Sequence, residues 1–83
     1  MELEIVSPDG VLFKGEVNQV SFPGMAGSFE VLPHHAPLIT ALRKGNIRYE
    51  TGDGTIQEIE VKDGFVEVKN DSISACIENF IAL

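Results

Sequence analysis

Residues 63–78 read Asp63-Gly64-Phe65-Val66-Glu67-Val68-Lys69-Asn70-Asp71-Ser72-Ile73-Ser74-Ala75-Cys76-Ile77-Glu78. Two runs with a period of two flank Asn70-Asp71, a pair that favours a turn because its short side chains hydrogen-bond to nearby backbone. In the first run Val66 and Val68 form the inward pair; in the second Ile73, Ala75 and Ile77 alternate with Ser72, Ser74 and Glu78. Successive side chains on a strand point to opposite sides of a sheet, so a strand with one buried face satisfies this pattern.

The same period extends to the rest of the chain. Leu3 and Ile5 alternate with Glu2 and Glu4, Ile47 and Tyr49 with Asn46, Arg48 and Glu50, and Ile59 and Val61 with Glu58, Glu60 and Lys62. Val11 to Phe13 and Val17 to Phe22 add two further strands. Turn signals separate the runs at Ser7-Pro8-Asp9-Gly10, Pro23-Gly24, Lys44-Gly45, Gly52-Asp53-Gly54 and Asp63-Gly64. No capped segment carries an apolar stripe at helical spacing. Many short strands at close spacing predict an all-β fold, an antiparallel β-sandwich or flattened barrel.

With 83 residues the chain holds one domain, expected to span 1–83. A chain of this size buries only about 60% of its extended surface, which leaves little room for a large enclosed cavity. Its uninterrupted apolar stretches fall far short of the roughly 20 residues that cross a bilayer, and no basic segment precedes an apolar one at the N-terminus, so a soluble, untargeted chain is expected. The balance of 13 acidic against 6 basic residues, a formal net charge of -7, argues against nucleic acid and against direct attachment to anionic lipid. A single cysteine, Cys76, excludes an intrachain disulfide.

One segment departs from this charged pattern: Gly15 to Leu42 carries only Glu16 and Glu30 as charges, although the chain has 19 in all (6 basic and 13 acidic). It also holds Pro23, Pro33 and Pro37, Met25 and both histidines. A buried strand with ordinary neutral loops is one reading. The other is a contact surface, because Phe22-Pro23-Gly24-Met25-Ala26-Gly27-Ser28 cannot bury itself without orphaning backbone groups, and charge depletion marks interface cores.

No catalytic constellation assembles from the residue types present. His34 and His35, adjacent on an extended segment, project in opposite directions and lack the third and fourth ligands of a zinc site. Glu58 and Glu60 share one strand face, where Lys62 continues a solvated row. Cys76 is expected to be a small packed thiol, and a nucleophile would need a base beside it. The Gly24 to Gly27 turn lacks the Lys and Ser/Thr of a phosphate-binding loop, and Gly52-Asp53-Gly54 is a hairpin tip too short for calcium. No metal, cofactor or small-molecule substrate is expected.

The stretch Gly27-Ser28-Phe29-Glu30-Val31-Leu32-Pro33-His34-His35-Ala36-Pro37-Leu38-Ile39-Thr40-Ala41-Leu42, followed by Lys44-Gly45-Asn46-Ile47-Arg48, resembles the signature of the epsilon subunit of F-type ATP synthases. Leu3-Glu4-Ile5-Val6-Ser7-Pro8 with Phe13 and Gly15 resembles that family's first hairpin, and Asp63 to Val68 with Asn70 and Ile73 its last. The resemblance covers the whole chain. His34 stands where that family commonly has glycine.

The resemblance implies a β-sandwich of about ten short strands at the foot of the rotor's central stalk. It implies no catalysis, but a link between the gamma subunit and the membrane-embedded c-ring that couples proton transport to ATP synthesis at the cytoplasmic face of the bacterial inner membrane. Carried over by position, Met25, Ala26, Gly27 and Ser28 would meet the c-ring. Ser7, His35, Ala36, Pro37, Leu38 and Thr40 would lie at or near gamma. The family's C-terminal helical hairpin is missing from these 83 residues, so its ATP binding and its inhibition of hydrolysis are not expected. A small β-sandwich binding a ligand or peptide, and a small metalloenzyme using His34 and His35, are the alternatives.

Overall fold

The computed structural model describes residues 1–78. Within them run eight strands: β1 (Glu2–Ser7), β2 (Gly10–Gly24), β3 (Gly27–Val31), β4 (Leu38–Leu42), β5 (Gly45–Thr51), β6 (Ile56–Val61), β7 (Asp63–Lys69) and β8 (Ser72–Glu78). The described residues contain no helix.

The 15-residue strand β2 organises the fold. Its first half pairs with β1, from Ser7↔Gly10 to Glu2↔Glu16. Beyond Val17 it pairs with β5 on one side and β3 on the other. A register shift between Val17 and Gln19 marks the point where it leaves one layer for the other. One layer therefore runs β1-β8-β7-β4, and the second is β3-β2-β5-β6.

Alternation fills the space between the layers. Leu3, Ile5, Leu42, Val66, Val68, Ile73, Ala75 and Ile77 from one layer join Val20, Phe22, Val31, Ile47, Tyr49 and Val61 from the other in a single buried cluster. These include the residues assigned inward from period alone, except Ile59, which packs against the cluster while partly exposed. Phe13 tilts onto Tyr49 with ring centroids 4.4 Å apart, and Phe22 stacks on Phe29 at 5.6 Å. Such aromatic pairs contribute about 1 kcal/mol beyond the area they bury.

Four expectations change. Among the described residues eight strands stand against the expected ten or so, partly because 11–13 and 17–22 belong to one strand: Gly15 continues the ladder opposite Leu3, and the Phe13 ring lies over it. The sheet is mixed, because β1 and β8 pair in parallel, from Glu2↔Ser72 to Val6↔Cys76. Period two fixes which face a residue takes but not the direction of the neighbouring strand. Pro23-Gly24 is the end of β2 and not a turn; pairing with β5 stops at Ser21, so the missing Pro23 N–H breaks no ladder bond there. Asp63-Gly64 opens β7, leaving Lys62 alone between β6 and β7, where its N–H donates to the Glu78 carbonyl at 2.8 Å.

The expected turn at Asn70-Asp71 is present, with φ of 52° and 61°. Two successive positive φ values define the tight two-residue hairpin whose twist matches the flanking strands, and Asn and Asp tolerate that region better than other side chains.

Candidate docking site

Among the described residues β3 pairs only with β2, while β4 pairs with β7 and reaches β2 at a single position, Gly24↔Leu42. The two strands therefore diverge from the end of β2 and leave a groove of about 430 Å³ between them. Its walls are Gly24, Ala26, Gly27, Ser28, Phe29, Leu38, Ile39 and Thr40. The groove brings together residues drawn from both predicted contact sets: Ala26, Gly27 and Ser28 on one wall, Leu38 and Thr40 on the other.

Local bonds hold its mouth. Met25, 64% exposed at the tip of the two-residue β2/β3 turn, donates its N–H to the Ala41 carbonyl at 3.0 Å. Arg43 donates its own N–H to the Pro23 carbonyl at 2.8 Å and its Nε–H to the Gly24 carbonyl at 3.1 Å. Gly24 is needed for space: a Cβ there would stand 2.6 Å from the Gly27 carbonyl and 3.0 Å from the Phe29 ring.

His35, Ala36 and Pro37 lie on the loop that enters β4. His35 donates its N–H to the Leu32 carbonyl at 3.2 Å, and its Nδ1 lies 2.6 Å from the Ala36 carbonyl oxygen. His34 has φ of 67°, in the left-handed region that costs a non-glycine residue roughly 1 kcal/mol. Its N–H donates to Asp71 Oδ1 at 2.9 Å. That bond is the main reason the Asp71 carboxyl titrates below its usual range, with desolvation opposing it.

Ser7 is separate from these residues. It closes β1 at the hairpin into β2, where its Oγ accepts the Asp9 N–H at 3.3 Å, and it borders a second depression of about 370 Å³. Between Ser7 and the β4 wall runs an apolar row that the sequence reading missed. Val6, Cys76, Phe65 and Ala41 are successive cross-strand partners on β1, β8, β7 and β4. They point outward because their chain neighbours Ile5, Ile77, Val66 and Leu42 occupy the core. Phe65 is 64% exposed and Ile39, in the adjoining row opposite Glu67, is 73% exposed. The signal was present in the sequence: Phe65 shares the parity of Asp63, Glu67 and Lys69.

Cys76 overturns its expectation, since the thiol is exposed and not packed; it shares the outer parity of Ser72, Ser74 and Glu78. Of the charge-poor segment, Phe22, Val31 and Leu42 turn inward, while Met25 to Ser28 and most of 32–39 face solvent. Among the described residues no three histidine, cysteine or carboxylate side chains gather as a metal site. Glu58 instead sits 3.7 Å from Arg48 on the other layer, in a polar cross-strand row with Ser21 and Glu30. One outer face therefore carries this apolar row beside charged neighbours such as Asp63 and Glu67, the groove opens at the rim between the layers, and the opposite outer face carries the Arg48–Glu58 row.

A two-layer strand body with an apolar groove at one rim defines a β-sandwich domain. The family described as ATP synthase, Delta/Epsilon chain, beta-sandwich domain matches residues 1–82, and the chain belongs to it. The ATP synthase epsilon chain of a Nitratiruptor species is 41% identical over 83 residues, covering 100% of this chain and 64% of the relative. That of a Sulfurovum species is 40% identical over 83 residues, covering 100% of this chain and 65% of the relative. The chain thus spans less than two thirds of these relatives' length. Among solved structures, a chain of the Euglena gracilis mitochondrial ATP synthase (OSCP/F1/c-ring) superposes with a TM-score of 0.84 at 21% identity, covering 90% of this chain and 48% of that one. A chain of the Tetrahymena thermophila mitochondrial ATP synthase central stalk and c-ring superposes with a TM-score of 0.77 at 14% identity, covering 95% of this chain and 63% of that one. At these identities the likeness establishes the sandwich fold.

Proposed function

We propose that the chain is a non-catalytic rotor subunit of an F-type ATP synthase, joining the gamma subunit to the c-ring so that proton transport stays coupled to ATP synthesis. The observation that carries this reading is the β3–β4 groove, whose walls combine Ala26, Gly27 and Ser28 with Leu38 and Thr40. The exposed turn at Met25 would rest on the ring. The outer row from Ala41 through Phe65 and Cys76 to Val6, ending beside Ser7, would lie against gamma with His35 to Leu38. In this reading the chain is peripheral, held at the cytoplasmic face of the bacterial inner membrane by the complex.

The role is mechanical. A close-packed sandwich deforms little, so a wide footing resists tilt better than the stalk alone. A stable attachment buries at least ~1,200 Å², more than the Met25 turn alone can supply, which is why both the groove and the outer row are assigned to it. The net charge of -7 favours basic partner surfaces and disfavours misplaced docking.

The variant Met25→Asp/Ala26→Asp tests the ring contact. Both positions are exposed, so the fold should persist while charges enter an apolar contact. Coupled ATP synthesis is expected to fall and the chain to release from the ring, read by co-purification with c subunits. Wild-type recovery and coupling would contradict the assignment.

A further inference from the structure

We infer that Asp71 is a positioning residue for docking: its carboxylate, presented by the β7/β8 turn, clamps the left-handed His34 backbone and so fixes where His35, Ala36 and Pro37 stand ahead of the groove wall that begins at Leu38. The inference rests on the docking reading above and adds to it a residue outside both predicted contact sets.

The loop from Leu32 to Pro37 joins β3 to β4, and most of it faces solvent. The bond from the His35 N–H to the Leu32 carbonyl, and the contact of His35 Nδ1 with the Ala36 oxygen, stay inside the loop. Among the described residues, the His34 N–H to Asp71 Oδ1 bond at 2.9 Å is the hydrogen bond that ties this loop to another element. It acts at the one residue of the loop with positive φ, where an unclamped side chain would favour another backbone conformation.

The clamp is itself held from behind. Asp71 occupies the second position of its tight turn with φ of 61°, and its carbonyl accepts the Glu2 N–H at 3.1 Å. Its Oδ2 lies 3.7 Å from the Met1 amino group, which also contacts Glu16 at 3.0 Å. The loop is thereby referenced to the β1–β8 end of the sheet, the same sheet that carries the apolar row. A loop held in its docking conformation before contact loses less freedom on binding, so loosening it should weaken association although Asp71 need touch no partner.

Asp71→Gly removes the carboxylate while suiting the positive φ, and Asp71→Asn keeps an acceptor oxygen without the charge. In the free chain, exchange of the His34 amide is expected to accelerate about tenfold in Asp71→Gly and little in Asp71→Asn, with the core amide of Ile47 unchanged in both. Binding to the isolated gamma subunit is expected to weaken about tenfold in Asp71→Gly and to stay near wild type in Asp71→Asn. Unchanged His34 exchange in Asp71→Gly would overturn the clamp. Faster exchange with unchanged affinity would overturn the positioning role and locate the fault in the loop's assignment to gamma. Equal weakening by both variants would overturn the hydrogen-bond argument in favour of the ion pair with the Met1 amino group.

Discussion

Replacing Gly64 by alanine is expected to remove more than half of the domain's stability. Gly64 lies where β7 leaves the corner at Lys62 and runs against β8, with φ of 157°. A Cβ added there would stand 2.4 Å from the Cys76 carbonyl oxygen and 2.9 Å from the Ile77 Cα. Both are backbone atoms of the strand that carries Ile73, Ala75 and Ile77 into the core, so no rotamer change relieves the clash. Either β7 or β8 must shift, taking core contacts with it. Such a change costs roughly 3 kcal/mol or more. A domain of this size has only about 5 kcal/mol in hand, and each kcal/mol lowers Tm by roughly 4–8 °C. Thermal unfolding followed by circular dichroism should show a fall of more than about 10 °C, and an unchanged midpoint would refute the close β7–β8 approach.

The second large effect is on association alone. Ile39 and Phe65 are 73% and 64% exposed, so Ile39→Asp/Phe65→Asp should leave the unfolding midpoint within a few degrees of wild type. Aromatic and large aliphatic anchors at the centre of an interface each contribute about 2 kcal/mol or more, which is about thirty-fold in affinity. Two introduced carboxylates that lose water without gaining partners add to the loss. Binding to gamma, measured by calorimetry, should weaken at least about 100-fold. An affinity near wild type would remove the outer face of β7 and β4 from the contact. Charge reversal on the polar face, for example Arg48→Glu, serves as the control and should leave the affinity unchanged.

The two substitutions mark what was legible in the sequence. Parity along each run assigned Leu3, Ile5, Ile47, Tyr49, Val61, Val66, Val68, Ile73, Ala75 and Ile77 to the core, because side-chain alternation is a local property of a strand. The hairpin at Asn70-Asp71 was legible for the same reason: its φ values are a local demand that those residues meet. Pairing was not. Nothing in Leu3-Glu4-Ile5 specifies that its second neighbour is β8 running parallel, or that β2 continues through Lys14-Gly15-Glu16 and changes layers near Val17. Charge depletion pointed to the loop Phe22 to Ser28 and the family resemblance to Met25 to Ser28, Leu38 and Thr40, but their meeting across one groove depends on β4 pairing with β2 at the single position Gly24↔Leu42. The apolar row was obscured because Val6, Cys76, Phe65 and Ala41 come from four strands, each contributing a single residue. Asp71 escaped notice because its turn role already accounted for it. Its second task, holding His34, appears only when 37 positions of separation close to one hydrogen bond.

Rotor assembly should cover one side of the sandwich and leave the other open to solvent. Hydroxyl-radical footprinting of the chain, free and then in complex with gamma and the c-ring, measures this directly. The prediction is strong protection of Met25, Leu38, Ile39 and Phe65 with continued reactivity of Ile56 on the opposite layer. Protection confined to the Arg48–Glu58 face, with Met25 and Phe65 as reactive as in the free chain, would contradict it.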